Sequence, residues 1–147
     1  MPVYLAALTA DHLGVRIYAA QLLAYFPEDA AAVVPALLPL SGGEDPVVAS
    51  AAAVAVGICA RGTGDPAAAA AITARWEGAT NLAERWATAI GLAQLLDDPA
   101  PAVLADVRAA TEAPAPVPHF PFLDGDIAAL ATHTLDRLEP DPGFTAV

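Results

Sequence analysis

Lysine is absent from this 147-residue chain, and only six arginines face seventeen acidic residues, for a net charge of −11. Nucleic-acid binding needs cations that replace phosphate counterions, so a chain of this balance repels the polymer at long range and no nucleic-acid partner is expected. Cysteine occurs once, at Cys59, which excludes an internal disulfide and any cysteine-based zinc site. Between Ile58 and Ala60 the thiol fits a small core residue, since a reactive thiolate needs an electropositive, exposed setting. Strand-type alternation is missing, so a sheet has no basis in the sequence. Long apolar runs are missing as well: the longest uncharged stretches, residues 46–60 and 30–43, fall short of the ~20 residues of a membrane span. The opening Met-Pro-Val-Tyr-Leu-Ala-Ala-Leu has no basic n-region and meets Asp11 too soon for a secretory h-region. A cytoplasmic protein without a membrane partner is expected.

What is present is alanine, the best helix former, and a set of Asp-Pro dipeptides that mark helix starts twice, by a capping side chain and by a residue needing no N–H in the first turn. Residues 44–61 are the most telling stretch. Between Asp45 and Arg61 there is no charge, and Ser50 is the one polar side chain. A helix apolar on nearly every side needs neighbours on several sides, which places this one in the middle of a helical stack.

On either side the pattern recurs. Residues 11–26 carry Val15, Tyr18, Ala19, Leu22, Leu23 and Phe26 at helical spacing, a stripe expected to face the core. Residues 30–40 form a helix with Pro35 inside it, where a bend is expected. Gly62 and Gly64 suit a left-handed cap, Asp65-Pro66 starts a helix through Ile72 and Trp76, and Asn81 with Glu84 resembles a capping box. Asp98-Pro99 and then Asp124 or Asp126 begin the last two helices, and Asp11 is expected to cap the second. Between them residues 114–123 hold four prolines and cannot be regular helix, and residues 139–147 form a tail.

Laid over one another, Val15, Val48, Leu82 and Ile127 fall at equivalent places, at intervals of 33, 34 and 45 residues, the last stretched by the proline-rich loop. Four helix pairs at this period predict an all-α chain built as an α-α solenoid over residues 1–138, in which no repeat buries its apolar face alone. Residues 3–8 are almost wholly apolar although the end of an array wants a polar cap, so this N-terminal helix is expected to be covered by self-association or a partner.

The repeats resemble the HEAT-repeat family, whose second helix reads Asp, Val-Arg, Ala-Ala, Leu-Gly. The first copy has Asp11, Val15, Arg16, Ala19, Ala20, Leu23 and then Ala24 in place of the glycine. The second has Asp45, Val48, Ala52, Ala53, Val56 and Gly57, with Ala49 in place of the arginine. Pro35 matches the family's bent first helix. The resemblance implies a right-handed superhelix of about four antiparallel pairs and scaffold roles for Arg16 and Asp45 in an Asp–Arg ladder. It also implies a concave side lined by the second helices.

No catalytic set assembles. His133 with Asp126 or Asp136, and His119 with Asp124, lack a serine nucleophile, because Ser41 sits in a turn and Ser50 in the apolar helix. No metal and no cofactor is expected. Trp76 and Trp86 fall on apolar stripes and belong to packing. Phe120 and Phe122 are expected to plug the last repeat, with a partner anchor as the other reading. The resulting expectation is a non-catalytic scaffold that holds a protein segment at Gln21, Ser50, Val54, Glu84, Thr88 and His133 on the concave face, with acidic rims that would speed the arrival of a basic one. An acidic immunity or inhibitor protein, and a lyase-type enzyme on the same repeats, are the alternatives.

Overall fold

A computed structural model describes residues 1–113 and 126–139. The proline-rich loop with Phe120 and Phe122, together with His119, Asp124 and the tail from residue 140, lies outside the described residues. Among the described residues all regular structure is helical: α1 Pro2–Ala7, α2 Leu13–Leu23, a 3₁₀ turn Pro27–Asp29, α3 Ala30–Ser41, α4 Pro46–Cys59, α5 Pro66–Glu77, α6 Leu82–Leu95, α7 Pro101–Ala110 and α8 Ile127–Leu138. No single one of them is long and apolar enough to cross a membrane.

Four helix starts follow the expected capping chemistry. Asp45 Oδ1 accepts from the N–H groups of Val47 and Val48 at 2.9 and 3.0 Å, and Asp65 Oδ1 accepts from Ala67 and Ala68 at 3.0 and 3.2 Å. Asn81 caps α6 through the Glu84 N–H at 2.9 Å, and Asp126 caps α8 through Ala129 at 3.0 Å. Asp11 does not cap α2. His12 does, its Nδ1 accepting from Gly14 at 3.1 Å. Asp98 does not cap α7 either; that helix begins at Pro101 with no side-chain cap. Gly62 and Gly64 turn with φ of 81° and 66°, the left-handed conformation that ends α4 without a Cβ penalty.

Each odd-numbered helix packs on the even-numbered helix that follows it, and the even-numbered helices α2, α4, α6 and α8 pack in a row, each on the next. Among the described residues the α4–α6 contact is the most extensive. Sequence alone placed α4 in the middle, and it is buried from Val48 to Gly57 without interruption. α6 is its equal, buried from Ala87 to Leu95, although its sequence holds Glu84, Thr88 and Gln94. Most of these polar atoms find partners inside the fold, while Gln94 Oε1 is buried without one. Thr88 Oγ1 donates to the Glu84 carbonyl at 2.8 Å, and Gln94 Nε2 donates to Thr134 Oγ1 of α8 at 2.9 Å.

The α2 stripe is only half covered. Ala19, Ala20 and Leu23 are buried against α4, but Val15 is 42 % and Tyr18 68 % exposed. Helical periodicity shows which residues share a face; it does not supply a neighbour for all of it. α1, six residues long, is too short to roof the rest. Arg16 donates to the Ala10 carbonyl at 3.0 Å and Asp45 caps α4, so both serve the scaffold locally and form no ion pair with each other.

The third and fourth pairs are tied by polar contacts on the odd-numbered side. Asp106 of α7 accepts from Trp76 Nε1 of α5 and from Arg85 Nε of α6, both at 2.8 Å, and the Arg85 guanidinium lies 4.9 Å over the Trp76 ring. Trp76 is thus a packing residue with its N–H satisfied.

Candidate functional site

The first turns of α2, α4 and α6 come together at one end of the row. Between them is a cleft of about 380 Å³ lined by Leu13, Asp45, Pro46, Val47, Ser50, Asn81, Ala83 and Glu84. The Asp-Pro start of α4 and the Asn81 start of α6 put two caps at its edge. Leu13, Pro46, Val47 and Ala83 give it apolar walls.

Glu84 is its most constrained group. The side chain is 3 % exposed, Oε1 accepts from Arg75 Nε at 2.6 Å, and Thr80 Oγ1 donates to Oε2 at 3.4 Å. Arg75 also donates through Nη1 to the Gly43 carbonyl at 2.5 Å, linking the α3–α4 turn to α5 and α6. Glu84 therefore does not reach back to the Asn81 N–H as a capping box would; the carboxylate is held by Arg75 instead. Ser50 spends its hydroxyl proton on the Pro46 carbonyl at 2.7 Å. What the cleft offers is apolar walls with the Asp45 carboxylate at its edge, the Glu84 carboxylate being taken up by Arg75 and Thr80.

Of the six residues expected to bind, the structure brings Ser50 and Glu84 together. Val54 and Thr88 lie one helical turn further along α4 and α6 and are 0 % exposed, so neither presents surface to a partner. The concave-face assignment is corrected there: where consecutive even-numbered helices touch so closely, the residues between them are core. Gln21 is half-buried on α2 and lines no part of the cleft. His133 is exposed on α8, in a separate shallow depression with Asp126, Thr132 and Asp136. Among the described residues no three side chains are grouped to hold a metal ion. Leu13, Asp45, Pro46, Val47 and Asn81 are the cleft residues missed by sequence reasoning. The signal was available, because each sits at a marked helix start, and starts of parallel neighbours converge.

A second concavity, about 440 Å³, opens between α1 and α2 and is lined by Tyr4, Ala7, His12, Gly14, Val15, Tyr18, Ala19 and Leu22. Tyr4 packs on Phe26 with ring centroids 5.8 Å apart, which anchors α1 to the end of α2 and leaves the groove beside it uncovered.

At the opposite end of α6 two arginines converge on free carbonyls. Arg61 Nε donates to Gln94 O at 3.0 Å, and Arg137 Nη2 donates to the carbonyls of Ala93, Gln94 and Leu96. Burial, and then the Arg137 charge, lowers the proton affinity of Arg61, with Asp97 acting the other way. Cations on a helix C-terminus are scaffold chemistry. Cys59 is buried with Sγ 3.4 Å from the Leu23 carbonyl, and burial first, Glu28 second, pushes its pKa up to about 11. Such a thiol is not a nucleophile at neutral pH.

The chain matches no family model, no curated protein and no solved structure.

Proposed function

We propose that the chain is a non-catalytic protein-binding module, a HEAT-like right-handed α-α solenoid of four antiparallel helix pairs. Its site is the acid-lined cleft across the first turns of α2, α4 and α6. The repeat reading is supported by Gly57 and Gly91, which fall nine residues after Val48 and Leu82 and meet where α4 packs on α6. The binding reading rests on one observation: Asp45 stands at the edge of a solvent-open cleft walled by Leu13, Pro46, Val47 and Ala83, while the Glu84 beside it is already paired with Arg75. A partner that fits carries a Lys or Arg next to an apolar residue, and the overall charge of −11 speeds its arrival. The same charge favours, as a second reading, an acidic inhibitor that neutralises a basic protein.

The test is affinity capture from the source cells by the wild-type chain and by Ala83→Arg, which places a resident guanidinium in the cleft. The expected result is a basic protein retained by the wild type, released by raised salt and lost from the variant. Identical retention by both would place binding elsewhere.

A further inference from the structure

We propose that the α1–α2 face is a homodimer interface, with a second copy of this chain as its occupant. The face is apolar and open: Val15, Tyr18 and the far end of α1 at Val3 are exposed, and the groove between the helices is walled by Tyr4, Ala7, Val15, Ala19 and Leu22. The occupant follows from charge. Residues 1–26 contain one acid, Asp11, and one base, Arg16, so they are net neutral. The remaining residues hold sixteen acids against five arginines and account for the whole −11. A basic partner is drawn to that acidic remainder. Two copies of the chain repel each other across most of their surfaces and approach without like-charge opposition at this neutral end.

Shape agrees with a two-fold pairing. Small residues Ala7, Gly14 and Ala19 deepen the groove, while Tyr18 stands at its edge with 68 % of its surface free. In an isologous contact each Tyr18 enters the groove of the other copy, as a self-complementary patch requires. His12 lines the same groove and can supply the polar partner a phenol wants, its Nδ1 accepting from the Gly14 N–H.

Sedimentation velocity over a concentration series, on the wild-type chain, Tyr18→Asp and Val15→Glu, is the test. Both positions are exposed, so helical circular dichroism should be unchanged in each variant. The expected result is a wild-type dimer whose dissociation constant rises at least tenfold in either variant, and which tightens as salt screens the acidic surfaces. That salt response is opposite in sign to the one expected for the cleft, so each proposal can fail alone. A wild-type chain that stays monomeric and binds an apolar dye at this face overturns the proposal and indicates another occupant. Equal dimerisation by all three chains overturns it by moving the interface.

Discussion

The backbones of Gly57 and Gly91 meet with no room for a side chain between them. A Cβ on Gly57 would lie 2.9 Å from the Gly91 carbonyl carbon, and a Cβ on Gly91 would lie 2.7 Å from the Ala53 carbonyl oxygen. Both glycines are inside helices, where alanine ordinarily gains about 1 kcal/mol over glycine. Here the sign reverses, because the atoms in the way belong to backbone. Gly57→Ala and Gly91→Ala should each destabilise by about 1–3 kcal/mol or more, since the helices must separate. Thermal unfolding followed by circular dichroism checks this, and a raised midpoint in either variant would refute the close crossing.

Val54 sits beside that crossing with no exposed surface. Val54→Arg should leave no folded protein at ambient temperature, because a buried unpaired cation costs several kcal/mol in a domain of marginal stability. Val54→Ala should fold and lose about 1–3 kcal/mol. A folded, monodisperse Val54→Arg would return the residue to a binding surface.

Arg75 and Glu84 form the most buried of the ion pairs among the described residues, with side chains 18 % and 3 % exposed. Removing only the cation leaves the carboxylate without its partner, so Arg75→Ala should cost about 3–5 kcal/mol in urea unfolding. Glu84→Gln in the same chain should restore much of that loss. If the double variant is no more stable than Arg75→Ala, the carboxylate is not what the arginine serves.

Cys59 gives stability a pH dependence of known sign. Its folded-state pKa is raised from 9.0 to about 11, so the unfolded chain ionises first. The contribution is fully present below pH 9 and is lost as pH rises toward 11, up to about 2–3 kcal/mol at roughly 1.4 kcal/mol per pKa unit. Urea unfolding across that window should show the loss in the wild type and a shallower slope in Cys59→Ala. Equal slopes would show that the dependence does not come from the thiol.

Much of the helical order was legible because it is written locally: Asp45-Pro46, Asp65-Pro66 and Asn81 cap where expected, and the uncharged span of α4 could only be buried. The equal burial of α6 was hidden, since Glu84 and Gln94 look solvent-facing until the fold brings Arg75 and Thr134 to them, and Thr88 turns its hydroxyl back onto its own helix. Val15 and Tyr18 failed for the converse reason. An apolar stripe states a preference for cover, and α1 is too short to provide it. The cleft was half legible: Ser50 and Glu84 were singled out, but Val54 and Thr88 came with them, because whether consecutive helices leave a groove or close on each other depends on the Gly57–Gly91 approach.

Amide chemical-shift mapping on isotope-labelled chain, titrated with the basic partner recovered by capture, tests the binding site most directly. Shifts should concentrate at Leu13, Val47, Ser50, Ala83 and Glu84 and shrink as salt is raised. Binding that leaves these amides unmoved and perturbs only α7 and α8 would contradict a cleft at the first turns of α2, α4 and α6.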